Sequence, residues 1–182
     1  MPRHDELLQE FEAYGRSGCG VKFLMQQIAE RLHEGMARYN WVGFYLMEAP
    51  AFDALVLGPY VGSFSPTLRI PLDKGLCGAA ATSGKTVVVN NVGADPRYLG
   101  SDMVKSNIVV PIFVEKSGVE KSGVEKSEVK KSEVKKSEVK KSEVKKRVVA
   151  ELCIESYFAD TFNTAEQKFI ESCAALVGRR ME

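Results

Sequence analysis

Apolar side chains recur along the chain with two different periods, and these periods divide it into helices and strands. Residues 4–15 and 21–39 carry apolar side chains at helical spacing, with Leu24, Ile28 and Leu32 on one face of the second helix. From residue 40 onward the period changes to two, which is typical of strands that bury one face. Strands are predicted over 40–48, 54–62, 67–72, 86–92, 107–114 and 147–157.

Two further helices complete the predicted order of elements. Residues 75–85 read as a short helix of small residues that ends at Gly84, since glycine is favoured just past a helix C-terminus. The last helix begins at Asn163 or Thr164 as its N-cap and places Cys173 on its inner face. Strands in meander order with helices at both ends predict an α+β fold, in which helices cover one antiparallel sheet.

One segment fits neither period. Residues 114–146 repeat a valine every five positions, with lysine and glutamate filling most of the other positions. A step of five residues turns a helix by about 140°, and on a strand it alternates between faces, so no apolar face forms. We therefore predict a low-complexity insertion over 115–146 within a single domain of residues 1–182. An expanded surface loop is favoured over a basic arm for an acidic partner, because every repeat contains glutamate.

Composition narrows the classes of function. The 182-residue chain is 45% hydrophobic and 27% charged with a net charge of +1. This balance is typical of a soluble globular domain and indicates neither a nucleic acid nor a membrane as partner. The acidic, amphipathic start differs from a signal peptide, so we expect a cytoplasmic protein with reduced thiols. The four cysteines form no CxxC pair, so no metal site is expected.

Five stretches taken together resemble the GAF domain family, and in particular its branch of free methionine-(R)-sulfoxide reductases. They are NWVGFYL, LVLGPYVG, RIPLDKGLCGAAATSGKTVVVNNV, SNIVVPIFV and AELCIESYFADTF. The resemblance implies a six-stranded antiparallel sheet with helices on one face, a small-molecule pocket on the other, and a homodimer. The repetitive insertion would then lie in the hairpin between the last two strands. For the reductase branch it implies a catalytic cysteine, a resolving cysteine and thioredoxin as reductant, without a cofactor.

The chain departs from the reductase branch at the reactive positions. The resemblance places the catalytic cysteine at Ser101 and its usual partner near Thr67, and a serine hydroxyl does not perform the redox chemistry of a thiol. An acidic position of the branch is filled by Asn107, and its two paired carboxylates fall at Cys153 and Glu155. These departures leave enzymatic activity uncertain, and we favour a protein that is not an enzyme.

Cys77, the third cysteine of the branch, has two interpretations. Near a helix N-terminus, where the helix dipole lowers a thiol pKa, it is a candidate nucleophile with Cys153 as its partner. Between Gly75 and Gly78 it is instead a small residue that lets the helix pack closely on the sheet. We favour packing, because a cysteine at this place belongs to the motif even where other cysteines react.

The sequence thus predicts a small-molecule-binding sensory or regulatory module without catalytic activity. Its predicted ligand-binding residues are Trp41, Tyr45, Tyr60, Asp102, Asn107 and Glu155. Asp102 has a second interpretation as a loop cap. The alternatives are a thioredoxin-dependent reductase with altered cysteines, for which Cys77 and Cys153 are the catalytic candidates, and a dimeric interaction scaffold.

Overall fold

The computed structural model describes residues 3–64, 66–115 and 146–181. Apart from its two end residues, the predicted insertion over 115–146 lies outside the described residues. Across the ranges that are described, no helix has the length and apolar character needed to cross a membrane.

Four α-helices and six strands follow one another along the described chain. The helices are α1 (His4–Arg16), α2 (Val21–Gly35), α3 (Gly75–Ser83) and α4 (Thr164–Gly178). The strands are β1 (Trp41–Met47), β2 (Ala54–Gly62), β3 (Arg69–Pro71), β4 (Val87–Val89), β5 (Ser106–Glu115) and β6 (Lys146–Ser156). A short 3-10 turn spans Val92–Ala94. The predicted elements are confirmed, but β3 and β4 are shorter than expected because each has only three residues paired with a neighbouring strand.

The described strands form one antiparallel sheet in the order β3-β2-β1-β6-β5-β4. The predicted meander is therefore wrong at its centre, where β1 pairs with β6. Strands β3 and β4, which are consecutive in the sequence, form the two opposite edges. The chain reaches the far edge because α3 crosses one face of the sheet and contacts β3, β6, β5 and β4 on its way. Gly84 ends α3 as predicted, with a φ of 63° that glycine adopts without steric cost.

The two faces of the sheet carry separate buried clusters, because successive side chains of a strand point to opposite sides. On one face, Val42 and Phe44 of β1 pack with Leu152 of β6 beneath α1, α2 and α4. On the other face, Trp41 of β1 and Cys153 of β6 pack against α3. The larger cluster is the core predicted from helical periodicity, and the smaller one forms the floor of the site described below.

Helix α4 begins at a capped residue, as predicted. The Oδ1 atom of Asn163 accepts hydrogen bonds from the backbone N–H groups of Ala165 at 2.8 Å and Glu166 at 3.0 Å. These bonds satisfy donors that have no partner within the helix. From this start, Ile170 and Cys173 fall on the face that packs in the larger cluster, where neither is exposed.

Candidate functional site

A cavity of about 480 Å³ opens on the face of the sheet that carries α3. Its walls come from β1, the segment between β2 and β3, β3 itself, the N-terminal half of α3 and the loop that precedes β5. One residue each of β5 and β6 completes the wall, and the volume suits a small molecule.

One wall of the cavity is aromatic. The Trp41 ring stacks on Phe64 with their centroids 6.0 Å apart, and it tilts against Tyr45 at 6.2 Å. The Tyr45 hydroxyl donates a 3.0 Å hydrogen bond to the carbonyl oxygen of Thr67, which ties β1 to the segment before β3. These contacts fix an apolar surface on which a small ligand can pack.

Two glycines make room for the Trp41 ring. Gly43 follows it by two positions on β1, and Gly62 is its paired partner on β2. A Cβ atom added at either glycine would overlap the indole ring. The ring therefore lies flat across the sheet only because both neighbouring positions lack a side chain.

A buried carboxyl lies beside the aromatic wall, since Glu155 of β6 is the paired partner of Trp41 on β1. Oε1 of Glu155 accepts hydrogen bonds from Nδ2 of Asn107 at 3.2 Å and from the Tyr98 hydroxyl at 3.3 Å. Burial raises the pKa of Glu155 to about 7, although both of these hydrogen bonds act in the opposite direction. The carboxyl therefore changes its charge near neutral pH.

Two polar atoms of cavity-lining residues are buried and unpartnered. Nε1 of Trp41 and Oδ1 of Asn107 have no hydrogen-bond partner among the described residues. Buried polar groups are nearly always hydrogen-bonded, so an exception calls for an explanation. A bound molecule that offers one acceptor and one donor would satisfy both atoms.

Another part of the lining is positively polarised. Arg69 is held by Glu48 at 2.8 Å and Asp53 at 3.3 Å, so its guanidinium is already engaged. Lys74 is exposed and immediately precedes α3, whose first residues also line the cavity. The first N–H groups of a helix lack partners within it and carry a partial positive charge. This end of the cavity therefore suits an anionic group.

Two thiols meet at the cavity floor. Cys77 lines the cavity and is 8% exposed, whereas Cys153 lies beneath it in the same buried cluster and is 3% exposed. The interaction with the Cys153 thiol and burial both raise the pKa of Cys77 well above its usual value. The packing interpretation of Cys77 also has support, since a Cβ atom at Gly78 would overlap the carbonyl oxygen of Leu72.

Glu151 is a buried acid that the reasoning from sequence missed. It is not exposed, and neither of its carboxylate oxygens has a hydrogen-bond partner among the described residues. Burial raises its pKa well above the usual value, and the nearby Cys77 thiol and Ala81 backbone only partly oppose that rise. The signal was present in AELCIES, since Glu151, Cys153 and Glu155 alternate and so share one face of β6.

The structure brings together most of the predicted site residues. Of the residues singled out from the sequence, those that line the cavity are Trp41, Tyr45, Cys77, Asn107 and Glu155, together with Thr67 and Ser101. Tyr98 and Lys74 also line it and were missed, because each lies in a loop whose path the residue pattern does not give.

Three predicted residues lie outside this lining. Tyr60 stacks on Trp41 with centroids 5.8 Å apart but does not reach the cavity, and Cys153 lies below its floor. Asp102 is exposed on the loop before β5, where its carbonyl oxygen accepts a 2.9 Å hydrogen bond from Nζ of Lys105. Within the described ranges, no group of three His, Cys, Asp or Glu side chains is arranged to hold a metal ion.

Comparison with curated proteins relates the chain to methionine sulfoxide reductases. The free methionine-R-sulfoxide reductase of Escherichia coli is 35% identical over 111 residues, which are 60% of this chain and 65% of that protein. The enzyme of the same name from Saccharomyces cerevisiae is 40% identical over 74 residues, which are 40% of this chain and 41% of that protein. The matched regions therefore span less than two thirds of either relative.

Solved structures agree with this relationship. The free methionine-R-sulfoxide reductase of Neisseria meningitidis in complex with its substrate has a TM-score of 0.74 and 26% identity, covering 97% of this chain and 87% of that one. A GAF domain structure with 22% identity also has a TM-score of 0.74, which supports the fold alone. The six-stranded antiparallel sheet with its four helices is thus GAF-like, as the sequence predicted. Because residues 23–181 also match the GAF domain family, the chain belongs to that family.

Proposed function

We propose that this GAF domain binds free methionine-(R)-sulfoxide in its cavity and reduces it with the thiol of Cys77. One observation carries the proposal: Cys77 lines the same cavity as the aromatic wall at Trp41 and the buried carboxyl of Glu155. The reductases among its relatives favour this function over the non-catalytic module that the sequence alone favoured.

The cavity matches the charges of a free amino acid. The ammonium group of the ligand pairs with the carboxylate of Glu155, which two hydrogen bonds hold in place. The carboxylate of the ligand binds at Lys74 and the first N–H groups of α3, where the partial charge of the helix is positive. The two charged groups of a zwitterion thus each have a group of opposite charge in the cavity lining.

The methylsulfinyl group packs against the aromatic wall. Trp41 and Tyr45 contact its methyl group, and the unpartnered Nε1–H of Trp41 donates a hydrogen bond to the sulfoxide oxygen. This arrangement turns the sulfur atom toward the floor, where Cys77 lies. A sulfoxide of the opposite configuration places its oxygen elsewhere and loses the indole hydrogen bond.

The reaction begins with attack of the Cys77 sulfur on the sulfoxide sulfur. The sulfur–oxygen bond of the sulfoxide breaks, and the oxygen passes to Cys77 as a sulfenic acid that carries the former thiol proton. Methionine leaves with its sulfur reduced by two electrons, and the Cys77 sulfur is oxidised by the same two electrons. A dithiol reductant of the thioredoxin class then restores the thiol, and water is released.

A non-catalytic binding module is the second candidate, and two observations favour it. Ser101 lines the cavity at the position where the resemblance places the catalytic cysteine. In addition, the raised pKa of Cys77 leaves its thiol protonated at neutral pH, whereas the thiolate is the nucleophile. In this function the same cavity holds the same amino acid without turning it over.

The test is a coupled assay with methionine-(R)-sulfoxide, thioredoxin, thioredoxin reductase and NADPH, in which NADPH loss is followed. We expect steady turnover by the full chain, no turnover by Cys77→Ser, and little turnover of the S isomer. Cys19→Ser is the matched control, because Cys19 lies away from the cavity and its Sγ donates a 3.0 Å hydrogen bond to the Tyr14 carbonyl oxygen that a hydroxyl can replace.

Calorimetry with the same sulfoxide separates the two candidates. Binding without turnover, weakened by Glu155→Gln, supports the non-catalytic module and rejects the reductase. Absence of both binding and turnover in a folded preparation rejects both candidates. Homodimer formation stays a prediction and is measured by sedimentation of the same sample.

A further inference from the structure

The four cysteines of the chain are divided by the sheet. Cys173 is buried in the larger cluster beneath α1, α2 and α4, and Cys19 packs against that cluster. Cys77 and Cys153 belong to the smaller cluster on the opposite face. The sheet therefore separates the two pairs, and Cys153 is the one thiol positioned to react with Cys77 within the same folded chain.

The elements that carry these two thiols are in direct contact. Cys77 lies in the first turn of α3, and Cys153 lies at the centre of β6, against which α3 packs. The two thiols interact, and this interaction is the largest influence on the pKa of Cys77. Neither side chain is more than 8% exposed, so both thiols are largely withdrawn from solvent in the same buried cluster.

The sulfur of Cys153 is held from its other side. Nδ2 of Asn107 lies 3.5 Å from Sγ of Cys153 and donates toward it while also donating to Glu155. Gly43 and Val109 are the neighbours of Cys153 on β1 and β5, so the residue is fixed in the middle of the sheet. A polar contact from a buried amide orients the thiol and stabilises charge that develops on it during reaction.

We propose that Cys153 is the resolving thiol of this protein and forms a reversible disulfide with Cys77 across the cavity floor. The inference rests on the proposed function in one respect, because that function supplies the sulfoxide as the natural oxidant. The pairing itself depends only on the two thiols. Of these two residues only Cys77 lines the cavity, so the substrate and an external reductant both approach the Cys77 sulfur.

The step balances without a further reactant. The Cys153 sulfur attacks the sulfur of the Cys77 sulfenic acid, so that a sulfur–sulfur bond forms and the sulfur–oxygen bond breaks. The departing hydroxide takes the Cys153 proton and leaves as water. Over both steps the sulfoxide sulfur gains two electrons, and each cysteine sulfur loses one.

The thiol and carboxyl groups around Cys77 all raise its pKa. Glu151 and Glu155 lie on the same face of β6 as Cys153, and both raise the pKa of Cys77. Tyr45 of β1 is influenced by both thiols, and Tyr98 by Cys153. Each group that shifts the pKa of Cys77 is thus a thiol or a carboxyl, and none of them favours its thiolate.

Two oxidants test the pairing in the full chain. The reduced wild-type protein is treated with one equivalent of methionine-(R)-sulfoxide or, separately, with the azodicarboxamide oxidant diamide, which accepts two electrons from a pair of thiols. Free thiols are then alkylated, and peptides are mapped by mass spectrometry. We expect a Cys77–Cys153 disulfide with both oxidants, while Cys19 and Cys173 remain reduced. With Cys153→Ser we expect a dimedone adduct at Cys77 after sulfoxide treatment and at least a tenfold loss of thioredoxin-dependent turnover.

Each result has one meaning. The disulfide with diamide but not with the sulfoxide supports the pairing and rejects the proposed function. Sulfoxide turnover without this disulfide, or with full activity in Cys153→Ser, overturns the pairing and leaves the proposed function standing. Absence of the disulfide with both oxidants also overturns it. Because both disulfide-mapping arms use wild-type protein, the test of the pairing does not depend on whether the Cys153→Ser variant folds.

Discussion

The side-chain amide of Asn107 donates a hydrogen bond to Oε1 of Glu155, 3.2 Å away, and the two residues face each other as paired partners on β5 and β6. Both are at most 9% exposed, and they lie near one end of their strands in a sheet whose buried residues are otherwise largely apolar. Burying such a pair destabilises the fold unless its polar atoms form hydrogen bonds, and Oδ1 of Asn107 has no partner among the described residues. Its position in the wall of the cavity is consistent with polar groups retained for a ligand.

Glu155 makes the stability of the protein depend on pH. Because the pKa of this acid is raised from 4.5 to about 7, the folded state binds a proton more tightly than the unfolded state. The stabilisation that protonated Glu155 gives the folded state is therefore complete below the pKa of this group in the unfolded chain. It is lost as the pH rises through about 7. This group alone should lower the free energy of unfolding by up to about 3 kcal/mol over that range. Urea denaturation at pH 5 and pH 8 measures the change.

Glu155→Gln should remove that part of the pH dependence, whereas Glu12→Gln on the exposed surface of α1 should leave it intact. The pKa assigned to Glu155 would be contradicted by equal pH dependence in the wild type and Glu155→Gln.

Gly62→Ala should displace the indole ring that forms the cavity wall. A Cβ atom at this position overlaps the Trp41 ring, so the ring must tilt into the cavity or the strands must separate. We expect a loss of about 1–3 kcal/mol in the free energy of unfolding, as is usual for overpacking. Trp41 is the single tryptophan of the chain, so its fluorescence reports on this site alone. The emission should shift to longer wavelength and become easier to quench with acrylamide.

Gly15→Ala is the control, because no atom lies within 4 Å of a Cβ placed there. It should leave the emission unchanged, and an unaltered spectrum in Gly62→Ala would show that the ring does not need the space.

Asn163→Ala should shorten or fray the start of α4. The substitution removes the acceptor of two backbone hydrogen bonds, at 2.8 Å and 3.0 Å, and leaves their donors without a partner in the protein. The expected loss is about 1 kcal/mol in the free energy of unfolding, measured by urea denaturation. Asn163→Asp keeps an acceptor oxygen and should retain the stability of the wild type. Equal stability of the alanine and aspartate variants would mean that the cap contributes nothing.

Local sequence patterns were sufficient to predict the helices and strands of the fold. Leu24 and Ile28 are buried because helical spacing brings them to one face, and that spacing is visible in the sequence. The same applies to Asn163, whose preference for the N-cap is a property of the residue and its nearest neighbours. The predicted meander order of the strands was wrong, because pairing of β1 with β6 joins residues more than a hundred positions apart.

Site residues that lie on strands were predicted correctly, whereas residues in the loop before β5 were not. Trp41 and Glu155 were found because a resemblance assigned their positions and strand alternation directs them to one face. Asp102 was expected beside them, but its loop carries the side chain outward, while Tyr98 of the same loop turns inward to Glu155. The turn that decides between these directions depends on contacts with distant strands.

By itself the sequence determined the helices and strands, the alternating faces of β1 and β6 and the family resemblance, because each follows from residue type and short-range spacing. Only the tertiary structure decided that Cys77 and Cys153 share one face while Cys19 and Cys173 are on the other. It also decided that Glu151 is buried without a hydrogen-bond partner among the described residues. These facts depend on how α3 crosses the sheet, and the energy of that packing comes from contacts between segments that no local pattern relates.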